Sequence, residues 1–337
     1  MKDIVGVILA AGEGTRMKST VPKVLHNLWG MPVLLHTIRT LKCAGIDRII
    51  AVVGYKSERI KEHLKGFEIV AQKELLGTAD ALYRTRKALS GFDGTILVVC
   101  ADAPLIKTDT ILKLIHMHRD EQAACSLLSA ELRDPTGYGR IIRNDEGEVV
   151  RIVEENDASI YQRVVPEVNS GAYCFDSKKL FAALDEIMLR PKRGEYYLTD
   201  TIDFFKRHKD KVVAHATDDP SEIIGINSRN DLALAHDILR KRIIEEIISG
   251  GVTVIDPGTT FISSNVTIGQ DTIIYPFVFI EADVNIGKNC SVGPFCRIRS
   301  STTIEDDTRI GNFVEITRSH IKKGTKINHF SYFGVMG

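Results

Sequence analysis

Apolar and polar residues are arranged in two different ways along this chain, and the first arrangement covers most of it. Short, continuously apolar runs predict buried strands: IVGVILA, RIIAVVG and TILVVCAD. Between them lie segments with apolar residues at helical spacing: VLLHTIRTLKCAG, KSERIKEHLKG and GTADALYRTRKALSG. Strands that alternate with helices of this length predict a parallel sheet covered on both faces, the doubly wound, Rossmann-like α/β class. Ligands bind such sheets at the carboxyl ends of the strands, so the residues after VILA and LVVC are the first candidates for a site.

The pattern changes near residue 229. A long helical segment, NDLALAHDILRKRIIEEIISGG, ends on two glycines, and beyond it an aliphatic residue recurs at every sixth position. The positions that keep this spacing are Ile262, Ile268, Ile274, Ile280, Ile286, Val292, Ile298, Ile304, Ile310 and Ile316. A six-residue period predicts a parallel β-helix of hexapeptide repeats, with the aliphatic side chains inside the coil. After Ile316 the spacing slips by one residue, and Ile321, Ile327 and Phe333 continue it. The predicted parts are a first domain (1–228), a connecting helix (229–250) and the β-helix (251–337).

Charge and composition exclude some classes of partner. Lys plus Arg and Asp plus Glu are both 44, so no global field draws the chain to nucleic acid or to an anionic membrane. No apolar run reaches the roughly 20 residues of a membrane helix, and Asp3 precedes the first apolar run, unlike a signal peptide. The six cysteines form no C-x-x-C pair, which predicts buried free thiols in a reducing compartment. We expect a cytoplasmic protein.

The segment after the first strand, LAAGEGTRMKSTVPK, is a candidate phosphate-binding loop. Small residues let backbone amides approach a nucleotide closely, and amides in a tight turn can hold anionic oxygens. Arg16 and Lys23 add mobile positive charge for a polyphosphate. The segment lacks the third glycine of the dinucleotide-binding fingerprint. The alternative interpretation is a simple turn between a strand and a helix, which the attached T-R-M and P-K make less favourable.

A carboxylate follows the third predicted strand, in ILVVCADAPL. Asp102 should project from the carboxyl edge of the sheet, and Mg²⁺ prefers one or two carboxylates together with substrate phosphates. The alternative is that Asp102 caps the following helix, a role that Thr108 or Asp109 would fill better. Further polar turns, each of which alone indicates only a loop, are DPTGYGRI, IVEENDAS, VNSGAY, RGEYYLTD and IIGINSR.

Taken together, these motifs give the chain a family resemblance. Residues 1 to about 229 resemble nucleotide-sugar pyrophosphorylases, on LAAGEGTRM…PKVLH, DPTGYGRI and GEYYLTD. With the β-helix behind them, the chain is similar to the bacterial family that joins an N-acetylglucosamine-1-phosphate uridylyltransferase to a glucosamine-1-phosphate acetyltransferase. The resemblance implies a left-handed β-helix. It also implies Mg²⁺-dependent transfer of UMP from UTP to N-acetylglucosamine-1-phosphate, with release of pyrophosphate.

The resemblance also implies roles for individual residues. The nucleotide would be held by Leu9, Ala10, Ala11, Gly12, Gln72, Gly77 and Thr78, with Gln72 reading the base. Arg16 and Lys23 would neutralise the triphosphate. Mg²⁺ would be bound by Asp102 and Asn227. The amino sugar would be held by Gly139, Glu154 and Asn169.

One departure from the family pattern concerns the metal-bearing loop. Where the family usually has Tyr-Gly-Asp, this chain has Cys100-Ala101-Asp102. Two alternatives therefore stay open: transfer to another sugar-1-phosphate, and a non-catalytic protein that binds a UDP-sugar and assembles through its β-helix. Retention of Arg16 and Lys23 together with the metal pair favours the enzyme. The L-A-A-G sequence, where relatives for thymidylyl or guanylyl transfer have L-A-G-G, favours the uridylyl group.

The last residues resemble part of the family's second active site. His329 and Tyr332 match its base and an assisting tyrosine, Arg299 matches a sugar-phosphate contact, and Thr317 stands where the family has a lysine. The family needs further coils for its acetyl-CoA groove, so we expect a truncated acetyltransferase domain with absent or marginal activity. The alternative is that His329 is a surface residue of a terminal, capping coil. By resemblance we expect a homotrimer formed through the β-helix.

Overall fold

The computed structural model describes Met1, residues 3–189 and residues 194–334. The chain divides into two compact units: Met1–His26 with Pro32–Asp231, and Asn27–Met31 with the chain from Leu232 onward. Across the described residues, no helix is both long and apolar enough to span a membrane. Of the sequence motifs, Arg193 of RGEYYLTD lies outside the described residues.

The first unit is built on one large sheet. Its strand order is β11-β7-β10-β6-β1-β4-β5, and the β8–β9 hairpin pairs with β10. A short ribbon formed by β2 and β3 belongs mostly to the second unit. Numbered in chain order with that ribbon included, the strands are β1 (Ile4–Ala10), β2 (Asn27–Leu28), β3 (Met31–Pro32), β4 (Arg48–Val53), β5 (Glu68–Ala71), β6 (Thr95–Cys100), β7 (Cys125–Glu131), β8 (Arg140–Arg143), β9 (Val149–Val153), β10 (Glu167–Asp176) and β11 (Val212–Ala216).

Strand β1 lies at the centre of this sheet because it is apolar on both faces. It pairs in parallel with β4 on one side and with β6 on the other. Ile4 and Ile8 pack into one core, while Val5 and Val7 pack into the core on the opposite face. Each fully buried aliphatic side chain of this kind contributes about 1.5–3 kcal/mol. The predicted doubly wound class is therefore confirmed.

Helices cover the two faces of the sheet. They are α1 (Val33–Cys43), α2 (Ser57–Lys61), α3 (Thr78–Tyr83), α4 (Thr108–Asp120), α5 (Ile160–Arg163), α6 (Ser177–Ile187) and α7 (Asp200–Arg207). A further helix, α8 (Arg229–Ser249), belongs almost entirely to the second unit. Single turns of 3₁₀ helix lie at Thr15–Met17, Lys23–Leu25, Arg84–Arg86 and Pro220–Ile223. Helices α2 and α3 are shorter than their sequence patterns predict.

Two details of the sequence prediction are wrong. The sheet is mixed rather than parallel, because β10 runs antiparallel to both β6 and β7. A continuous apolar run is buried in either direction, so the hydrophobic pattern carries no information on strand polarity. Helix α4 begins at Thr108 with Lys107 in the N-cap position and no side-chain cap, so neither Thr108 nor Asp109 is its cap.

The second unit is the β-helix. Each strand pairs in parallel with the strand three further along, which gives three sheets. The strands are β12 (Thr253–Val254), β13 (Phe261–Ile262), β14 (Thr267–Ile268), β15 (Ile273–Ile274), β16 (Phe279–Ile280), β17 (Val284–Ile286), β18 (Ser291–Val292), β19 (Arg297–Ile298), β20 (Thr302–Ile304), β21 (Arg309–Ile310), β22 (Val314–Ile316), β23 (His320–Ile321), β24 (Lys326–Ile327) and β25 (Ser331–Phe333). The left-handed parallel β-helix of hexapeptide repeats is thus the fold of this part of the chain.

The six-residue period corresponds to the core of the coil. Nine of the ten periodic aliphatic residues are buried, and Ile268 is half-buried. The strand pairing shows the same one-residue slip in spacing, because Ile304 pairs with Ile321 and Ile310 pairs with Ile327. Phe333 pairs with Ile316 in the same register but stays 38% exposed.

The corners of the coil are formed by residues with positive φ. Two corners use residue types that tolerate this conformation, such as Asp271, Asn289 and Asp283. The third corner carries four phenylalanines, here named the phenylalanine ladder: Phe277, Phe295, Phe313 and Phe330. Successive rings stack with centroids 4.7, 5.2 and 5.0 Å apart, and each ring is at least 46% exposed. A bulky residue at positive φ is unfavourable by itself, and stacking of about 0.5–1.5 kcal/mol per pair offsets part of that cost.

All six cysteines are free thiols. Cys125, Cys174, Cys290 and Cys296 are buried, as the sequence predicts, and Cys100 is half-buried. Cys43 is exposed at the end of α1, which the sequence prediction of buried thiols did not include.

Candidate active site

The loop after β1 forms one side of the candidate site. Gly14 has φ 67°, and a Cβ added there would lie 2.6 Å from the Cβ of Lys23. Glycine at this position therefore allows the loop to pack against the turn that begins at Lys23. A Cβ at Gly12 would meet no protein atom within 4 Å, so the space beside Gly12 is open to a ligand.

A positively charged side chain and two side-chain oxygen atoms come together at the end of β6. The Lys23 ammonium contacts the Asp102 carboxylate in an ion pair and donates a 2.9 Å hydrogen bond to Oδ1 of Asn227. The side chains of Lys23 and Asp102 are only 11% and 20% exposed. The backbone fixes this geometry, because Ile226 N–H donates to the Asp102 carbonyl at 2.8 Å and Asn227 N–H donates to Asp231 at 2.9 Å. The structure thus brings together three residues that the sequence separates widely.

These oxygen atoms fit a hard divalent cation. One carboxylate and one amide carbonyl oxygen, with water and phosphate completing the shell, are a donor set that Mg²⁺ accepts. Asp102 is half-buried after β6 and is remote from the start of α4, so the helix-cap alternative is wrong. Among the described residues there is no cluster of three or more His, Cys, Asp or Glu side chains that could hold a metal without substrate.

A cavity of about 300 Å³ opens beside this cluster. Its lining includes all seven residues predicted to hold a nucleotide: Leu9, Ala10, Ala11, Gly12, Gln72, Gly77 and Thr78. Lys23 and Asp102 also line it, together with Glu13 and Glu195. Arg16 is different, because it is exposed on the turn Thr15–Met17 and is not among the residues that line this cavity in the described chain.

Gly77 holds the wall of this cavity in place. Its φ is +105°, and a Cβ there would lie 2.5 Å from the carbonyl oxygen of Tyr196. The two segments are joined by backbone hydrogen bonds, since Ala79 N–H donates to Tyr196 and Tyr196 N–H donates to Leu76. A larger residue at Gly77 would push these segments apart.

A second cavity, of about 200 Å³, adjoins the first. It contains the three residues predicted to hold the sugar, Gly139, Glu154 and Asn169. Leu9, Thr78 and Cys100 line both cavities. The two cavities therefore meet at these three side chains, at the carboxyl end of β1 and β6. Two larger clefts, of about 620 and 660 Å³, have none of the predicted nucleotide or sugar residues in their linings.

Hydrogen bonds orient the polar groups of this second cavity. Thr199 Oγ1 donates to Glu154 Oε1 at 2.7 Å, and Asn169 Nδ2 lies 2.6 Å from the Tyr173 hydroxyl oxygen. Burial raises the pKa of Glu154, and the nearby carboxylates of Asp200 and Asp157 raise it further, while the Thr199 hydrogen bond opposes them. Burial also raises the pKa of the Tyr173 phenol well above its ordinary value. Side chains held by hydrogen bonds within the protein thus face this cavity.

Cys100 lies at the junction of the two cavities. Burial, with a smaller contribution from the Asp102 carboxylate, raises the pKa of its thiol to about 12. A thiol with such a pKa is a poor nucleophile at neutral pH, so covalent catalysis through Cys100 is unfavourable. Its sulfur lies 3.7 Å from the Gly171 carbonyl oxygen, and a Cβ at Gly171 would come within 3.0 Å of that sulfur.

Several lining residues were not singled out from the sequence. Tyr138, Thr199 and Glu195 belong to the motifs DPTGYGRI and RGEYYLTD, which were recognised as turns without roles for these side chains. Asp80 was missed entirely. It lies in α3, where a polar residue at helical spacing gives no signal of function, yet it is fully buried and hydrogen-bonded to Gln72.

The residues that resemble an acetyltransferase site lie on the β-helix. Tyr332 pairs across the sheet with Glu315, and the Arg299 guanidinium lies 3.3 Å from the Glu315 carboxylate and 3.7 Å from Glu281. Tyr332 is 55% exposed, and the His329 ring packs edge-on against Phe330. Arg299 is thus paired with two carboxylates, neither of which the sequence identified.

Comparisons with known proteins agree with these observations. The nucleotidyl transferase family profile matches residues 5–220, and the bacterial transferase hexapeptide (six repeats) profile matches residues 265–300 and 283–318. The chain is 47% identical over 276 residues to the bifunctional protein GlmU of Pelotomaculum thermopropionicum, which covers 82% of this chain and 60% of that relative. It is 44% identical over 277 residues to the bifunctional protein GlmU of Halalkalibacterium halodurans, with 82% and 61% covered.

A solved structure shares the fold of a large part of this chain. It is named provisionally as a glucose-1-phosphate thymidylyltransferase from Bacillus anthracis, with a TM-score of 0.57, 18% identity, and coverage of 70% of this chain and 94% of that chain. At this identity the likeness shows the fold alone. The chain spans about 60% of the length of the curated relatives that it matches. Because the family match extends from residue 5 to residue 220, the chain belongs to the nucleotidyl transferase family and carries bacterial transferase hexapeptide repeats behind that domain.

Proposed function

We propose that the first unit transfers UMP from UTP to N-acetylglucosamine-1-phosphate and releases pyrophosphate. The observation that carries this proposal is the contact of the Lys23 ammonium with both Asp102 and Asn227, beside a nucleotide cavity that joins a sugar cavity. The similarity to bifunctional GlmU proteins supports the same reaction class.

The proposed reaction is an in-line displacement at the α-phosphorus. A phosphate oxygen of the sugar-1-phosphate attacks the α-phosphorus of UTP, and the bond from that phosphorus to the bridging oxygen breaks. The electron pair leaves with pyrophosphate, so no covalent intermediate with the enzyme is needed. Catalysis then rests on positioning and on stabilisation of charge at the transferred phosphoryl group.

The chain's residues supply that positioning and charge. Lys23 lies at the junction of loop and sheet, where its ammonium balances negative charge on the transferred group. The exposed Arg16 would act on the outer phosphates by folding toward bound nucleotide. Asp102 and Asn227 would hold Mg²⁺, which when bound neutralises phosphate charge.

At the sugar end, Glu154 and Asn169 offer hydrogen bonds to hydroxyl and acetamido groups. Thr199 fixes one oxygen of Glu154 and leaves the other for the ligand. Gly139 leaves space for a ligand beside Glu154, since a Cβ at position 139 would lie 3.4 Å from the Glu154 carboxylate.

Pyrophosphate release with Mg²⁺ and UTP tests the proposal. The acceptors to compare are N-acetylglucosamine-1-phosphate, glucosamine-1-phosphate and glucose-1-phosphate. We expect the highest kcat/KM with the N-acetylated sugar. A clear preference for glucose-1-phosphate would favour a different sugar-1-phosphate, for which Cys100 at the cavity junction is the supporting observation. Folded protein that binds UDP-N-acetylglucosamine without any turnover would favour the non-catalytic assembly protein.

We also propose that the β-helix assembles into a homotrimer. The phenylalanine ladder supports this assembly, because it exposes one aromatic ring per coil. Each ring stands at a position of positive φ, which is unfavourable for a bulky residue. Contiguous exposed aromatic surface is typical of protein interfaces. A second β-helix has the same spacing between coils, so its side chains can pack against the exposed edges of successive rings of the ladder.

A further inference from the structure

A buried amide lies at the wall of the nucleotide cavity. Gln72 follows β5, lines the cavity and is 4% exposed. Its Nε2 donates two hydrogen bonds, one of 3.0 Å to the carbonyl oxygen of Gly77 and one of 2.8 Å to Oδ2 of Asp80. Both hydrogens of the side-chain amide are therefore used within the protein.

The chemistry of these partners fixes which way the amide points. A backbone carbonyl and a carboxylate can only accept hydrogen bonds. If the amide were turned over, its Oε1 would face two acceptors and two buried polar contacts would become repulsive. The Gln72 oxygen is thus the one polar atom of this side chain that is available to a ligand, and it can only accept.

Asp80 is itself held firmly. It is fully buried in α3, and Arg84, one turn further along, lies 2.6 Å from Oδ1 in an ion pair. The ion pair occupies one carboxylate oxygen while Gln72 uses the other. Asp80 is not among the described residues that line either cavity, whereas Gln72 lines the first of them.

We propose that Asp80 is a positioning residue that determines base selection: it holds the Gln72 amide so that Oε1 faces the base. An acceptor there matches the N–H of an imide, which uracil has and cytosine lacks at ring position 3. The same acceptor would meet a lone pair of cytosine, and a site built for one hydrogen-bonding partner rejects the mismatched one strongly. This inference rests on the proposed nucleotidyl transfer and identifies how the same site selects its nucleotide.

Competition between two pyrimidine nucleotides provides the test. We would measure kcat/KM for UTP and for CTP with N-acetylglucosamine-1-phosphate, and expect the wild type to prefer UTP by at least about 100-fold. Asp80→Asn keeps the shape of the side chain but supplies both a donor and an acceptor, so the Gln72 amide can turn over. The UTP/CTP ratio should fall at least roughly tenfold in this variant, as it should in Gln72→Ala.

Arg84→Lys provides the matched control, because it keeps a positive charge beside Asp80 and leaves the Gln72 contacts intact. Its UTP/CTP ratio should stay within about threefold of the wild type. Equal losses with both nucleotides in Asp80→Asn would show a merely structural role and overturn the proposal. An unchanged ratio in Gln72→Ala would overturn it as well, because Gln72 would then not read the base.

Binding measurements separate this inference from the proposed reaction. If no sugar-1-phosphate gives turnover, the proposed function fails, but calorimetric titration of the same variants with UTP and CTP in Mg²⁺ still measures base selection. Selective binding of UTP that is lost in Asp80→Asn would support the positioning role on its own. Equal affinity of the wild type for UTP and CTP would refute it.

Discussion

The Lys23 ammonium lies 2.9 Å from Oδ1 of Asn227, although 204 positions separate the two residues in the sequence. The same ammonium contacts Asp102, so one positive charge satisfies both oxygen ligands. In the proposed reaction, Mg²⁺ bound by these two oxygens would displace the ammonium toward the phosphates of the nucleotide. Lys23 is therefore placed to exchange between an internal partner and the substrate.

Loss of this charge should impair turnover. In Lys23→Ala we expect kcat/KM for UTP to fall more than tenfold, which corresponds to more than about 1.4 kcal/mol of transition-state stabilisation. The measurement is steady-state release of pyrophosphate. Lys178→Ala is the control, since Lys178 forms an exposed ion pair with Asp93 in the same unit. Wild-type turnover in Lys23→Ala would contradict the proposed role.

Asn227 should affect the concentration of Mg²⁺ that the reaction requires. Its side chain is neutral, so Asn227→Ala removes a ligand without changing charge. The Mg²⁺ concentration that gives half-maximal activity should rise at least roughly fivefold, whereas activity at saturating Mg²⁺ should fall less. A titration of activity against Mg²⁺ checks this. Asn144→Ala, in an exposed turn, should leave the titration unchanged; a similar shift in both variants would argue against metal binding by Asn227.

Glu154 should make stability depend on pH. The pKa of Glu154 is raised in the folded chain. At pH values between the ordinary pKa of about 4.3 and the raised pKa, the folded chain therefore keeps a proton on Glu154 that the unfolded chain has lost. Wild-type stability therefore decreases as pH rises through this window. Glu154→Gln does not titrate and can still accept from Thr199. Its melting temperature relative to the wild type should increase from about pH 4 to about pH 8.

Glu155 provides a control with the opposite sign. The Arg140 guanidinium, followed by the Gly137 N–H, lowers the pKa of Glu155. Its stabilising contribution is therefore present at neutral pH and is lost as pH falls. The melting temperature of Glu155→Gln should lie below the wild type near neutral pH and approach it in acid. Parallel shifts in both variants would indicate a general effect of pH and contradict the assignment to Glu154.

The phenylalanine ladder should govern self-association. Replacing Phe295 and Phe313 together by Asp introduces charge at the centre of the ladder, which a packed interface would exclude. We expect sedimentation velocity to show a shift from the oligomer to the monomer, with the β-sheet circular dichroism retained. Asn289→Lys changes charge at an equivalent position on another corner and should not dissociate the oligomer. An unchanged oligomer in the double variant would exclude the ladder as the interface.

Acetyl transfer by this 337-residue chain should be absent or marginal. Arg299 is already paired with Glu315 and Glu281, and His329 is on the exposed surface of the coil. Mass spectrometry of glucosamine-1-phosphate after incubation with acetyl-CoA is the appropriate measurement, because the chain's own thiols would interfere with thiol-based assays. Substantial N-acetylated product, lost in His329→Ala, would contradict this prediction.

Much of the fold could be predicted because its signals are local. The six-residue period fixes the coil, since each periodic aliphatic such as Ile298 is buried by the same geometry in every turn. Strand β1 was recognisable for a similar reason. The antiparallel direction of β10 was not, because burial alone does not distinguish the two orientations. The phenylalanine ladder was also missed, since positive φ at Phe295 is a backbone property with no signature in a run of apolar residues.

The site was predictable only where a motif marks it. Most of the residues predicted to hold the nucleotide and the sugar lie in or beside glycine-rich or polar motifs, and the structure brings them to two adjoining cavities. Asp80 belongs to no recognisable motif. Its proposed role depends on the hydrogen bond that it accepts from Gln72, eight positions earlier in the sequence. Arg16 shows the opposite case, because its motif predicted a role while its side chain stays exposed in this structure.

The distribution of the thiols has a practical consequence for spectroscopy. Cys43 is the exposed thiol among the six, and Cys100, with a pKa of about 12, would react slowly with maleimides. A fluorophore or spin label should therefore attach selectively at the end of α1 in the unmodified protein. That attachment point is outside both cavities, so conformational changes on nucleotide binding could be followed without first removing cysteines.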